Sequence, residues 1–97
     1  LKGSFHLPTY HVEHRHSYEN CYGPPDFNEE KMDLWRQVKV NAEENNVEIK
    51  FFKMNPSQHV SFMLLEAPDY ESLEKTIGQC KKTGQFTITP VVEQFFF

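Results

Sequence analysis

The sequence predicts an α+β fold in the order strand, helix, strand, strand, helix, strand, and three observations carry that prediction. Two segments place apolar residues at helical spacing behind a capping residue. Four others read as strands, and the middle two of these are separated by only the short turn NPSQ. The 97 residues suit one core, so a single domain over residues 1–97 is expected, with nine Phe available to fill it.

The elements follow in order. Phe5 and Leu7 alternate with Ser4, His6 and Pro8, which predicts a first strand over about residues 2–10 that Pro8 should weaken or end. A polar loop over about residues 11–25 comes next, and Pro24-Pro25 leads into DFNE. There Asp26 is placed to accept from the Glu29 amide and cap the first helix. The apolar stripe of that helix is Met32, Trp35, Val38 and Ala42 with Leu34 alongside, and Asn45-Asn46 offers a residue type that tolerates the left-handed stop.

VEIKFFKM and HVSFMLLEA then form two strands whose short connection dictates an antiparallel hairpin. Asp69 caps the second helix, with Leu73, Ile77 and Cys80 on its inner face, Lys81 and Lys82 at its negative end, and Gly84 as its stop. Gly78 falls inside this helix, which predicts a close helix–sheet approach. QFTITPVVEQF supplies the last strand.

This order is the ferredoxin-like βαββαβ arrangement: a four-stranded antiparallel sheet with two helices on one face. The third strand is apolar on both sides, with Val60, Phe62 and Leu64 on one and Met63 and Leu65 on the other. The first set is assigned to the chain's own core. The second needs a cover that 97 residues do not contain, and a second copy of the chain would supply it, so a homodimer is expected. Phe95, Phe96 and Phe97 point the same way, because three exposed phenylalanines would cost solubility without a partner.

A resemblance enters at SFMLLEAPDYESLEKTIGQCKKTGQFTITPVVE. This stretch, about a third of the chain, resembles the second half of small proteins of the dimeric α+β barrel superfamily, particularly the GYD-type group. HSYENC is also similar to a His-Ser/Thr-Pro-Glu-x-Cys motif in small uncharacterised prokaryotic proteins of this fold. His16, Ser17, Glu19 and Cys21 match it, while Tyr18 stands where that pattern has Pro. The resemblance implies a dimeric α+β barrel around a cavity and assigns no reaction, since the superfamily spans cofactor-free monooxygenases, isomerases and proteins without known function.

HVEHRHSYENC carries the site chemistry, with three histidines, two glutamates and a cysteine in residues 11–21. In extended backbone His14 and His16 point one way, and His11 and Glu13 the other. Mixed imidazole and thiolate donors suit zinc first, then copper or nickel. The expected ligands are His11, His14, His16 and Cys21, with His6 or Glu19 as substitutes. The alternatives are a solvated polar loop, or a metal-free dimer that binds a small molecule or acts as a monooxygenase- or isomerase-like enzyme. In that last case His6 or Tyr10 projects into the cavity, with Tyr10 and Tyr18 orienting a substrate and Glu19 nearby. His59, beginning a strand beside a turn, reads as a turn-edge residue, and Cys80 as a small core hydrophobe.

Other chemistries are disfavoured. Ten basic against 14 acidic residues, net −4, with no long basic run, argue against nucleic acid. No Gly-rich phosphate loop or Gly-x-Ser-x-Gly elbow occurs, so no nucleotide cofactor is indicated. No apolar stretch approaches the roughly 20 residues of a membrane span, and LKGSFHLPTY lacks the apolar segment of a signal peptide. A cytoplasmic protein is expected.

Overall fold

The computed structural model describes residues 7–21, 28–94 and 96. Its elements are β1 (Thr9–Arg15), α1 (Glu29–Glu44), β2 (Glu48–Asn55), β3 (Val60–Glu66), α2 (Tyr70–Ile77) and β4 (Gln85–Val91). Short 3₁₀ turns at Tyr18–Asn20, Pro56–Gln58 and Gly78–Lys82 complete the order. The sheet runs β2-β3-β1-β4 with every neighbouring pair antiparallel, which is the ferredoxin-like βαββαβ topology.

Two expectations about the sheet are corrected. The stretch HVEHRH, expected to lie in the polar loop, forms most of β1 and the residue beyond it. Phe5 and His6 lie outside the described residues. The dimeric α+β barrel is also overturned: the strands form one open sheet whose edges are β2 and β4. Met63 and Leu65, assigned above to an interior shared between two copies, are at most 1% exposed in the chain's own core.

The register explains the reversal of the β3 faces. Tyr10, Val12 and His14 are buried, and they stand opposite Leu65, Met63 and Ser61 on β3 and Pro90, Ile88 and Phe86 on β4. Cross-strand partners share a face, so this face is the core side. Thr9, His11, Glu13 and Arg15 therefore lie on the other side with Phe62 and Leu64, which are only half-buried. Both halves of VSFMLLE are apolar, so alternation within β3 leaves the choice undecided, and only pairing with β1 decides it.

The core joins Val12, Met63 and Leu65 to Val38 and Ala42 of α1 and to Leu73 and Ile77 of α2, with Leu34, Trp35, Ile49, Phe86 and Ile88 packed around it. Cys80 is fully buried, as its place on the apolar stripe predicts, and burial pushes its thiol up to about 12. Asn41 Nδ2 donates to the Thr76 carbonyl at 3.2 Å and ties α1 to α2.

The caps follow local chemistry. Asn28 accepts from the Lys31 amide at 3.1 Å at the start of α1, and the Asp26 cap lies outside the described residues. Asn46 takes the left-handed conformation expected at its end, with φ 59°. Asp69 accepts from the Ser72 amide at 2.7 Å, and this bond holds its carboxyl below the usual range. Gly78, expected inside α2, ends it: its φ of 56° with ψ −131° is open to glycine and strained for other residues.

Gly84 has a different task from the expected helix stop. A Cβ there would fall on the Arg15 carbonyl oxygen and within 2.6 Å of His14 Nε2. The missing side chain is what lets the approach to β4 lie against the end of β1.

Candidate metal centre

The site assembles at the end of β1, where three separate segments converge. Continuing the β1–β3 register one step beyond Arg15–Val60 brings His16 opposite His59, and the His16 amide donates to the His59 carbonyl at 3.2 Å. His59 follows the Pro56–Gln58 turn, in which Asn55 accepts from the Gln58 amide at 3.2 Å. It sits in the left-handed region at φ 56°, ψ 44°, a strained backbone for histidine of about 1 kcal/mol. The result is that His59 Nδ1 lies 3.3 Å from His16 Nε2.

Cys21 is folded back to meet them. Residues 18–20 make a 3₁₀ turn closed by the Asn20 amide on the Ser17 carbonyl at 3.1 Å and the Cys21 amide on the Tyr18 carbonyl at 3.3 Å. Asn20 Nδ2 donates to Ser17 Oγ at 3.0 Å, and Lys31 Nζ reaches the Asn20 carbonyl at 3.5 Å from α1. One ligand atom each from His16, Cys21 and His59 then lies within 4.8 Å of the others, and all three side chains are half-buried.

This geometry fits a tetrahedral transition metal. Two imidazole nitrogens bound at about 2.0–2.1 Å would stand about 3.3–3.4 Å apart along a tetrahedral edge, which matches the His16–His59 separation of 3.3 Å. A sulfur ligand, bound at about 2.3 Å, requires a slightly longer edge. The electrostatics also favour a neutral, ligating imidazole at His16. Its pKa is lowered first by burial, then by the neighbouring His59 and by the Lys31 charge.

His14 is fully buried beside this group, its ring 5.7 Å from that of His16 and packed against Trp35 at 4.9 Å and Phe86 at 4.8 Å. The Thr83 hydroxyl donates its proton to the Cys80 carbonyl at 2.6 Å, so the 3.0 Å contact between Thr83 Oγ1 and His14 Nε2 needs the proton on the histidine. His14 is therefore the neutral Nε2–H tautomer, and Nδ1 is the only nitrogen it could offer to a metal. That atom has no hydrogen-bond partner among the described residues. Burial and then the His16 charge push the His14 pKa down to about 4, against a weaker opposing effect of Thr83.

The other residues singled out in the sequence are dispersed. His11 lies on the opposite sheet face, its ring 6.2 Å from Phe62. Tyr10 is buried in the core edge-on to Tyr70 at 5.9 Å. Tyr18 and Glu19 are exposed on the 3₁₀ turn, and His6 lies outside the described residues. His59 is the member of the cluster that local sequence reading passed over. Its signal was topological, because an antiparallel third strand beside the first must begin where the first ends.

No protein-family model, no curated protein and no solved structure matches this chain. The resemblance to the dimeric α+β barrel superfamily and its GYD-type group is corrected accordingly, and what stands is the ferredoxin-like topology itself.

Proposed function

We propose that the protein binds one divalent transition metal, zinc before copper or nickel, through His16 Nε2, His59 Nδ1 and Cys21 Sγ. The observation that carries this reading is the convergence of two imidazoles and a thiol from three segments, with all three ligand atoms within 4.8 Å of one another. Three protein ligands leave the fourth tetrahedral position to water or a small molecule, the arrangement of a catalytic rather than a closed structural site. Of the ligands expected from the sequence, the proposal keeps His16 and Cys21 and adds His59. His14 is a reserve donor through Nδ1, and His11 is directed to the other sheet face.

The reading carries a location with it. Both cysteines are free thiols, and a thiolate ligand persists best in a reducing compartment such as the cytoplasm. No helix among the described residues is long and apolar enough to cross a membrane.

Elemental analysis of untagged, chelator-free protein tests the proposal. About one equivalent of zinc, taken up by the wild type and lost in His59→Ala, is the expected result. Less than about a tenth of an equivalent, unchanged after incubation with zinc, copper or nickel, would overturn it.

A second reading rests on the same 3.3 Å contact. Two imidazoles in hydrogen-bond range share a proton, and the pair could move one to or from a small molecule without metal. A pH-dependent histidine proton resonance in metal-free protein, lost in His59→Gln, would favour it.

A further inference from the structure

His16 also lines a cavity of about 610 Å³ at the ends of β1 and α2's following turn. Among its described lining residues are Arg15, Lys31 and Lys82, joined by the Ser17 hydroxyl and the Asn20 side-chain amide, and no carboxylate is among them. Three cations around one concavity stand out on a chain of net charge −4. A cleft lined by one sign of charge concentrates its field and draws in a counter-ion of the other sign.

The partners of these cations leave their charge available. Arg15 Nε meets Glu13 at 2.6 Å from the same strand face, which holds the side chain while leaving the terminal nitrogens of its planar fork to bind an anion. Lys31 Nζ touches a neutral carbonyl, that of Asn20. Lys31 lines the same cavity as His16. Ser17 accepts from Asn20 Nδ2, so its own hydroxyl proton is free to donate. Glu19, on the nearby turn, is exposed and outside the cavity lining.

We propose that this cavity binds a small molecule through an oxyanion group, phosphate or carboxylate, carrying two or more negative charges. The inference deepens the metal reading by naming the class of molecule that would sit beside His16, but its support is the cavity's own charge and donors. Its size suits a metabolite-sized ligand. The three cations hold the oxyanion, and Ser17 and Asn20 orient it by donating to its oxygens.

The experiment titrates full-length protein, chelator-treated and zinc-loaded, with inorganic phosphate and separately with succinate, following amide resonances of Ser17, Asn20 and Gln85. Saturable shifts at these positions in metal-free protein are expected, weakening with added salt, and Lys82→Glu should lower affinity by about tenfold or more. Lys53→Glu makes the same charge change on the far edge strand and should leave affinity within about twofold. The larger response to phosphate or to succinate assigns the oxyanion. Absence of saturable shifts with either at roughly 10 mM overturns the inference, and so does an equal loss in the two variants. Anion binding by a chain that takes up no metal supports the pocket and overturns the metal centre alone. Metal uptake without anion binding overturns the pocket alone.

Discussion

His16 and His59 face each other across the first and third strands with their ring nitrogens 3.3 Å apart. Residues 43 positions apart are thereby fixed by backbone pairing, since the His16 amide donates to the His59 carbonyl. Two protonated imidazoles at that distance would repel, whereas a metal or a shared proton makes the same distance favourable.

The first prediction follows from that pairing. His59→Ala and Cys21→Ser should each weaken zinc binding by about a hundredfold or more, measured by competition with a chromophoric chelator. His11→Ala, on the other sheet face, should change it by less than about twofold. Cys80→Ser should leave metal content alone and lower stability instead, because it places a hydroxyl in a fully buried apolar site. Equal metal loss from the Cys21 and Cys80 variants would refute the assignment.

The second concerns the strained backbone of His59. Glycine takes a φ of 56° without penalty, so His59→Gly should stabilise the metal-free protein by up to about 1 kcal/mol relative to His59→Ala. Both variants should lose the metal. Urea unfolding of the two in chelator checks this, and equal stabilities would show that the conformation is unstrained.

The third is a pH dependence from His14. Its folded pKa of about 4 lies below the ordinary 6.5, so the unfolded chain binds the extra proton between those values. Stability is therefore full above about pH 6.5, falls as pH drops toward 4, and gains no further loss from this group below that. The difference corresponds to about 3 kcal/mol. His14→Gln should flatten this part of the curve in metal-free protein, as followed by chemical denaturation at each pH. An unchanged slope in the variant would assign the dependence to other groups.

These predictions also mark what was legible in the sequence. The βαββαβ order was, because the α1 stripe of Trp35, Val38 and Ala42, the Asp69 cap and the NPSQ turn are local signals. The inner face of β3 was not, since Phe62 and Leu64 match Met63 and Leu65 in apolarity and only the pairing with Tyr10 and Val12 separates them. The first strand was read too early because β1 carries His11, Glu13 and His14, whose polarity resembles a loop. His14 is tolerated in the core because Thr83 Oγ1 accepts a hydrogen bond from its Nε2–H, a contact across 69 positions that no local pattern announces. His16 and Cys21 were legible from composition, whereas His59 required the strand register.

The last prediction joins the fold to the site through Gly84. Its φ is unexceptional, so the demand for glycine there is one of space: a Cβ would strike the Arg15 carbonyl oxygen and come within 2.6 Å of His14 Nε2. Backbone cannot swing aside as a side-chain tip can, so Gly84→Ala should push the start of β4 away from β1 and destabilise the protein by about 2–3 kcal/mol. Because Arg15 precedes His16 and both line the charged cavity, the same change should also move the Arg15, His16 and Gln85 amide resonances and weaken anion binding. Gly78→Ala is the comparison. It strains a φ of 56° and approaches Asn41 Nδ2 at 3.1 Å at the helix–helix contact, so it should cost a similar stability while leaving the cavity resonances in place. Matching spectral changes at the cavity in both variants would mean that loss of stability, not the displaced strand, is what disturbs the site.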